Sequence, residues 1–279
     1  MLGTLIGDIC GSIYEFNNLK TDNPRSINLI NDRCELTDDS ILTVATMHAC
    51  LDGGWADENF SMRCAKLYRE YGRQYPHPMG GYGGRFASWL TDDTMGPYNS
   101  WGNGSAMRAS PIGWLHGAGD VDLKKVMELA KATAIPTHNH PEGVKGAQAV
   151  AVAVYLARGG DGEPKEKEYI KSSIETTFGY DLSRKLDDIR PTYAFDESCQ
   201  GTVPVALIAF LESEDFTHAI QLAISVGGDT DTLACITGAV AGAYYKDVSE
   251  DLMRFVDERI EPFTNVIGRF SEMTAGSRD

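Results

Sequence analysis

The chain of 279 residues contains 25 Lys and Arg against 40 Asp and Glu, which gives a formal net charge of −15. Its hydrophobic content of 42% and charged content of 23% are ordinary for a globular protein, and the length suits one large domain or two small ones. Because nucleic acids and anionic membranes attract positively charged surfaces, this composition argues against either of them as the main partner.

The cysteine pattern and the lack of long apolar stretches indicate the compartment. The six cysteines are scattered, without Cys-x-x-Cys spacing, so we expect reduced thiols in a cytoplasmic protein. The N-terminal segment is apolar, but it lacks an initial basic region and is interrupted by Asp8 and Glu15, so we do not expect a signal peptide. No stretch reaches the roughly eighteen unbroken apolar residues of a membrane span.

The first predicted element is a helix at the N-terminus. Gly3, Gly7 and Gly11 recur every four residues, so one face lacks side chains and another helix can pack closely against it. Asp8 and Glu15 are seven residues apart and would share a face of this helix as candidate site residues. The alternative for Asp8 is a buried partner of a backbone N–H group or an arginine, and for Glu15 a solvated helix end.

Two short acidic stretches directly precede apolar runs that predict helices. They are residues 36–40 (Leu-Thr-Asp-Asp-Ser) and 227–232 (Gly-Gly-Asp-Thr-Asp-Thr). Ordinary N-capping is the simpler interpretation of either, but a cap needs one acceptor and each stretch offers two carboxylates. Because helix N-termini tolerate negative charge and magnesium prefers hard oxygen ligands, we predict that the two stretches form one metal site. Residues 91–94 have a similar composition, but Met-Gly-Pro follows them and predicts a solvent-facing turn.

Residues 72–105 show no regular pattern and are rich in Gly, Pro, Tyr and Trp, which is typical of a functional loop. Residues 80–84 could present consecutive backbone N–H groups to a phosphate, with Arg85 as counter-charge, although glycines also serve plain turns. Residues 103–105 could equally be a helix cap. His138 and His140 could bind a metal, but the prolines that flank them favour a helix start.

Helical periodicity covers most of the remaining chain. Helices are predicted at residues 38–51, 56–71, 142–158, 165–178, 202–213, 215–226, 231–245 and 248–260, with further helical pattern between 106 and 135. Apolar runs that are separated by short loops, without alternating strands, predict an all-α single domain over residues 1–279.

Together these motifs resemble the ADP-ribosylglycohydrolase family. The matching stretches are residues 3–15 (GTLIGDICGSIYE), 36–40 (LTDDS), 102–108 (GNGSAMR), 137–138 (TH) and 227–232 (GGDTDT), in the family's order. The resemblance implies an all-α, single-domain orthogonal helical bundle with a centre of two magnesium ions, which manganese could replace. Residues 82–90 (YGGRFASWL) depart from the loop typical of the family, so the resemblance does not identify the leaving group of the reaction.

The resemblance also implies roles for particular residues. The family's metal ligands correspond to Thr37, Asp38, Asp39, Asp229, Asp231 and Thr232. Its catalytic glutamate corresponds to Glu15. Glu15 and Asp38 would act as the acid and the base, and the sequence does not decide which residue has which role. The residues that hold the ADP-ribose correspond to Gly83, Arg85, Asn103, Gly104, Ser105, Met107 and His138.

The implied activity is a magnesium-dependent cleavage of the glycosidic bond at the distal ribose of an ADP-ribosylated protein or small molecule. Two alternatives stay open: a non-catalytic binding or structural relative, such as a lens crystallin, and a metal-dependent phosphohydrolase that acts on a pyrophosphate. The residues do not distinguish arginine, serine, an acetyl ester or a nucleotide as the acceptor, and they do not decide the oligomeric state.

Overall fold

Helices make up most of the computed structural model, which describes residues 1–160, 162–245 and 247–275, and the predicted all-α class is confirmed. The α-helices of these ranges are α1 (Gly3–Gly11), α2 (Asp38–Cys50), α3 (Phe60–Gln74), α4 (Gly84–Thr91), α5 (Gly104–Met107), α6 (Leu123–Ala134), α7 (Pro141–Arg158), α8 (Lys167–Phe178), α9 (Leu186–Ile189), α10 (Cys199–Glu212), α11 (Phe216–Ser225), α12 (Thr230–Tyr244), α13 (Glu250–Asp257) and α14 (Thr264–Thr274). Short 3-10 turns occur at Glu15–Asn17, Pro24–Ser26, Leu51–Ala56, Ser110–Gly117 and Glu261–Phe263.

The main hydrophobic core of the described residues runs from α1 to α14, and Ala109, Ala134 and Ala147 form a small separate cluster. Helix α7, which its alanines and valines predict to be central, buries 12 of its 18 residues and contacts α5, α6, α8, α10 and α12. In the described ranges no strand forms, and isolated bridges join Thr37 to Met79 and Gly102 to Ser198. Nor does any helix there combine the length and apolarity required to cross a bilayer.

Helices α1 and α12 pack in direct backbone contact, as the glycine repeat predicts. A Cβ atom built on Gly7 would lie 1.9 Å from the carbonyl oxygen of Ala234, and one on Gly3 would lie 2.2 Å from that of Gly238. Side chains larger than hydrogen would therefore separate the two helices. This contact places the N-terminus of α12 beside the C-terminal end of α1, where the candidate site lies.

We expect Gly7→Ala to lower the free energy of unfolding by about 3 kcal/mol, at the upper end of overpacking costs, because rigid backbone atoms oppose the new methyl group. Gly268→Ala in α14 is the matched control, since a Cβ there would meet no atom within 4 Å. It should raise stability by about 0.5–1 kcal/mol through helix propensity. Chemical denaturation of both variants measures the difference, and equal stabilities would contradict direct contact between α1 and α12.

Two sequence expectations are wrong in detail. Helix α1 ends at Gly11, so Asp8 and Glu15 do not share a helix; Ser12 Oγ donates to the Ile9 carbonyl at 2.8 Å, which competes with helix continuation. The segment 72–105 is not wholly irregular. It contains α4, in which Phe86, Trp89 and Leu90 are buried at helical spacing. The glycines that precede this helix make the whole segment look irregular in the sequence.

Other elements agree with the sequence or go beyond it. Residues 92–94 form the predicted exposed turn, in which Asp92 Oδ1 accepts hydrogen bonds from the Thr94 N–H at 2.8 Å and from Thr94 Oγ1 at 2.6 Å. His140 begins α7, and its Nδ1 accepts from the Glu142 N–H at 3.1 Å, so the helix-start interpretation of the histidine pair holds. Helix α14 was not predicted.

Candidate metal and substrate site

A cavity of about 520 Å³ lies where the N-termini of α2, α4, α5 and α12 meet. Its acidic end is lined by Glu15, Asp38, Asp39, Asp229, Asp231 and Thr232. Its glycine-lined end consists of residues 80–84 and 102–104, and it meets the acidic end at Gly80, where a Cβ atom would lie 2.8 Å from Glu15 Oε2, and at Asn103. The two predicted acidic stretches therefore share one cavity: Thr232 Oγ1 donates to Asp39 Oδ1 at 3.3 Å, although 193 positions separate these residues.

Asp8 fixes the start of α2 from behind the cavity. Its buried carboxylate accepts hydrogen bonds from the Thr37 N–H at 3.2 Å, from Thr37 Oγ1 at 2.6 Å and from the Ser40 N–H at 3.1 Å. These contacts satisfy N–H groups of the first turn of α2 that have no partner within the helix. Asp8 is therefore a partner of backbone N–H groups, and its side chain acts on the site by orienting α2.

A glycine turn and an asparagine fix the start of α12. Gly227 and Gly228 have φ values of 77° and 75°, a left-handed conformation that favours glycine. The Gly228 N–H donates to Asn18 Oδ1 at 3.1 Å. Asn103 Nδ2 then donates to Asp229 Oδ2 at 2.6 Å, so the residue predicted to bind substrate also orients an acidic side chain.

The carboxylates at the acidic end lack counter-charges. Glu15, Asp229 and Asp231 each offer an oxygen within 4.8 Å of the others, and Glu15 Oε2 and Asp39 Oδ2 are buried without a hydrogen-bond partner. No ion pair in the described ranges involves any carboxylate of the cavity's acidic end. Buried charge of one sign is costly unless protons or cations neutralise it. A set of hard oxygen donors of this kind fits divalent cations.

Burial and mutual repulsion raise the pKa values of this cluster. The pKa of Glu15 rises to about 7 because of burial and the neighbouring charge of Asp229. Burial, reinforced by the other carboxylates, raises the pKa of Asp38, Asp39 and Asp231 well above the ordinary range. The cation-free cluster therefore retains protons at pH values where exposed carboxyl groups have lost them.

We expect the cation-free protein to lose stability as the pH rises from about 4.5 to about 7. The native state holds the Glu15 proton up to a pKa of about 7, whereas the unfolded chain releases it near 4.5, so the stabilisation is complete below 4.5 and lost above 7. Thermal unfolding in EDTA should show a melting temperature several degrees lower at pH 8 than at pH 5.

Added magnesium should raise the melting temperature more at pH 8, where the carboxylates are ionised, than at pH 5. Glu15→Gln is the matched variant, because its neutral amide removes one titrating group and should flatten the pH dependence. A magnesium effect of the same size at both pH values would contradict the assignment of these raised pKa values to the cation-binding end.

Most of the residues predicted to contact substrate line the cavity. They are Gly83, Arg85, Asn103, Gly104, Met107 and His138. Gly83 caps α4 at its N-terminus, so the unpaired N–H groups of that helix lie at the glycine-lined end. A Cβ atom on Gly81, Gly83 or Gly84 would meet no atom within 4 Å, so no other part of the protein covers the loop at these exposed positions.

Two predicted site residues do not line the cavity. The Thr37 hydroxyl donates to Asp8 and accepts from the Asp39 N–H at 3.1 Å. Ser105 is fully buried, and its hydroxyl donates to the Gly143 carbonyl at 2.7 Å. Both side chains support the segments that carry their neighbours, and their assignments as metal ligand and substrate contact stay predictions.

An aromatic pair lies at the rim of the cavity, and no sequence pattern predicts it. Phe16 and Phe195 line the cavity beside its acidic end, and their rings stack with centroids 6.3 Å apart. The side chains are 71% and 47% exposed. Only the folded chain brings them together, because neither residue belongs to a recognisable motif.

Comparisons with known proteins agree with this architecture. Residues 1–275 match the sequence profile of the family described as ADP-ribosylglycohydrolase. The ADP-ribosylhydrolase ARH3 of Bos taurus is 25% identical to the chain, over 88% of this chain and 83% of that protein. An uncharacterized protein of Archaeoglobus fulgidus is 28% identical over 153 residues, and this match spans about half of each protein, 50% of the chain and 48% of the relative.

Among solved structures, an ADP-ribosylglycohydrolase-related protein complex has the same fold. Its TM-score is 0.69 at 23% sequence identity, and the superposition covers 98% of this chain and 95% of that one. The family match over nearly the full length, together with a fold of this kind, leads to one conclusion: the chain belongs to the ADP-ribosylglycohydrolase family of hydrolases.

Proposed function

We propose that the protein hydrolyses the glycosidic bond at the distal ribose of an ADP-ribosylated protein or small molecule, depends on magnesium, and releases intact ADP-ribose. One observation carries the proposal: a single cavity joins a cluster of buried carboxylates without counter-charges to an end lined by glycine backbone. The acidic end suits a neutral ribose diol with cations. The glycine-lined end suits a pyrophosphate, which backbone N–H groups can bind.

Asp38, Asp39, Asp229, Asp231 and Thr232 would hold two magnesium ions, or manganese in their place, with Thr37 as the remaining predicted ligand. When bound, the ions would supply the charge that orients ribose hydroxyls and polarises a water molecule. Asn103 would keep Asp229 in position, as its 2.6 Å hydrogen bond indicates.

Glu15 is the favoured proton carrier. Its carboxyl group lies in the cavity, where burial, the largest cause of its raised pKa, favours the protonated form that a proton donor near neutral pH requires. Asp38 is the second candidate, and acid and base are not assigned between the two. The glycosidic bond would break through an oxocarbenium-like state, for which a proton donor to the leaving atom and a base for water are the usual pair.

The pyrophosphate would lie along residues 80–84 and 102–104. Arg85 lies at the exposed rim, where its guanidinium donates to the Tyr98 carbonyl at 3.2 Å and lies 5.6 Å from the centre of the Tyr98 ring. From there it can approach a phosphate without entering the acidic end. The stacked Phe16 and Phe195 rings lie on the acidic side, where the acceptor would leave.

A phosphohydrolase is the competing enzyme class, and the distribution of basic groups argues against it. Sites for phosphoryl transfer usually combine metal ions with Lys or Arg that contact the transferring group. Within the described ranges, the basic residues that line this cavity are Arg85 and Arg108. Arg85 lies at the rim, and Arg108 is buried and donates hydrogen bonds to Thr133 and Thr137. A non-catalytic relative would tolerate the loss of acidic metal ligands, whereas this chain keeps all four aspartates that correspond to the family's metal ligands.

Analysis of the products tests the proposal. The protein would be incubated with magnesium and a panel of substrates ADP-ribosylated on arginine, serine, an acetyl ester or a nucleotide, and the products identified by mass spectrometry. We expect free ADP-ribose from at least one of them. Free ADP-ribose offered as substrate is the control: its conversion to AMP and ribose 5-phosphate would establish the phosphohydrolase, and no product from any substrate would favour the non-catalytic relative.

A further inference from the structure

His138 lies at the glycine-lined end of the cavity. Its Nε2 is 3.4 Å from the position of a Cβ atom on Gly102 and 3.3 Å from one on Gly104, so this nitrogen lies against the space that both glycines leave open. His138 is 5% exposed, and its other ring nitrogen, Nδ1, is 2.7 Å from Thr137 Oγ1. The two ring nitrogens therefore have different surroundings, one in the protein and one at the cavity.

Behind Thr137 lies a buried arginine. Arg108 Nη2 donates to Thr137 Oγ1 at 2.8 Å and to the Thr133 carbonyl at 3.2 Å. The guanidinium lies 4.2 Å from the centre of the Tyr68 ring, is fully buried, and forms no ion pair in the described ranges. Its Nε and Nη1 atoms have no hydrogen-bond partner, so this positive charge has no protein counter-charge beside it.

The chemistry of these groups favours one proton arrangement. A guanidinium can only donate, so Thr137 Oγ1 accepts from Arg108 and has its single hydrogen available for His138 Nδ1. The Thr137 hydroxyl also lies near the Tyr98 hydroxyl, which is the other acceptor available to its hydrogen. The positive charge of Arg108 opposes a proton on Nδ1, the nitrogen on its side of the ring, and so favours Nε2 as the protonated nitrogen.

We infer that Arg108 and Thr137 are positioning residues: their hydrogen-bonded chain holds neutral His138 with its proton on Nε2, directed at an anion that lies against Gly102 and Gly104. Identifying this anion as the pyrophosphate of ADP-ribose rests on the proposed function. Burial and the charge of Arg108 also lower the pKa of His138 well below its usual value, so the ring is neutral at pH 7. The bound anion would in turn offset the uncompensated charge of Arg108.

The tautomer can be measured without any substrate. The protein contains six histidines, and ¹⁵N labelling of their rings, with His138→Gln to assign the signals, reports which ring nitrogen carries the proton. We expect the Nε2–H form in the wild-type protein and in Thr137→Ser, which keeps the hydroxyl group. Thr137→Val has nearly the same shape without the hydroxyl, and it should show a mixture of tautomers. A wild-type protein with its proton on Nδ1 would overturn the inference.

Calorimetric titration with ADP-ribose in the presence of magnesium tests the consequence for binding. We expect Thr137→Val to bind about tenfold more weakly than wild type, the effect of one misdirected hydrogen bond, and Thr137→Ser to restore the affinity. In turnover the loss should appear in KM with kcat unchanged. Equal affinities of Thr137→Val and wild type would refute the positioning role. If no ADP-ribosylated substrate is hydrolysed, the proposed function fails, while the tautomer measurement still decides the inference.

Discussion

Asp231→Asn is expected to abolish magnesium binding and to lower turnover about a thousandfold or more. Asp231 lies among the carboxylates of the acidic end, and an amide oxygen offers a cation much less charge than a carboxylate. Transition-state stabilisation by cations is worth several kcal/mol, and each 1.36 kcal/mol corresponds to about tenfold in rate. Isothermal titration with magnesium and steady-state kinetics on the same substrate measure the two effects.

The substitution should leave the fold intact. Asp231 Oδ1 accepts from the Thr232 N–H at 2.8 Å, and the asparagine oxygen can keep this hydrogen bond. Because the change also removes one charge from a crowded buried cluster, the cation-free variant should melt at the same temperature as wild type or above it. This result would separate a lost cation site from general unfolding.

Asp92→Asn is the matched control. Asp92 belongs to a stretch of similar composition, but it lies in an exposed turn after α4, where its carboxylate accepts hydrogen bonds from Thr94. Magnesium affinity and turnover should both stay at the wild-type level. Equal losses in Asp92→Asn and Asp231→Asn would refute the assignment of the metal site to the two helix-start stretches.

Glu15→Gln is expected to lower kcat by a factor of about 10² to 10⁴, with affinity for ADP-ribose within about threefold of wild type. The amide has the size of the carboxyl group but cannot exchange a proton at neutral pH, so it removes proton transfer and keeps most of the contacts. Single-turnover kinetics and ADP-ribose titration, both with magnesium, would measure chemistry and binding separately.

Glu197→Gln provides the control for this experiment. Glu197 also lines the cavity and carries the same functional group, but it is exposed at the rim. Its replacement should change kcat by less than about threefold. If Glu15→Gln instead weakens ADP-ribose binding as much as it slows turnover, Glu15 is a binding residue and the proton carrier must be sought at Asp38.

Local sequence patterns determined much of the framework. The four-residue glycine repeat in α1 predicts a backbone contact with another helix, and α12 makes that contact. The two backbones can approach this closely because a glycine carries a hydrogen atom in place of a side chain. The apolar runs predict most of the helices, and the clustered carboxylates before two of these runs mark α2 and α12 as carriers of a site. Such signals depend on residues within a few positions of each other, which is the range that helical periodicity encodes.

Tertiary packing alone decided which of these residues meet and which way they face. The α1 and α12 contact brings Asp229 and Asp231 to Glu15, and it does so although α1 ends at Gly11, before the predicted helix is complete. Likewise, the hydrogen bonds that Asp8 accepts from Thr37 turn that threonine away from the cavity.

The aromatic pair and the hydrogen-bonded chain behind His138 show the same limit. Phe16 reaches Phe195 across the rim, and Arg108 reaches His138 through Thr137, in each case after folding has placed distant segments side by side. The sequence by itself therefore determined the helices and the chemical groups they carry. The structure decided their pairing, because contacts between distant segments depend on how the whole core packs and not on the spacing of residues along the chain.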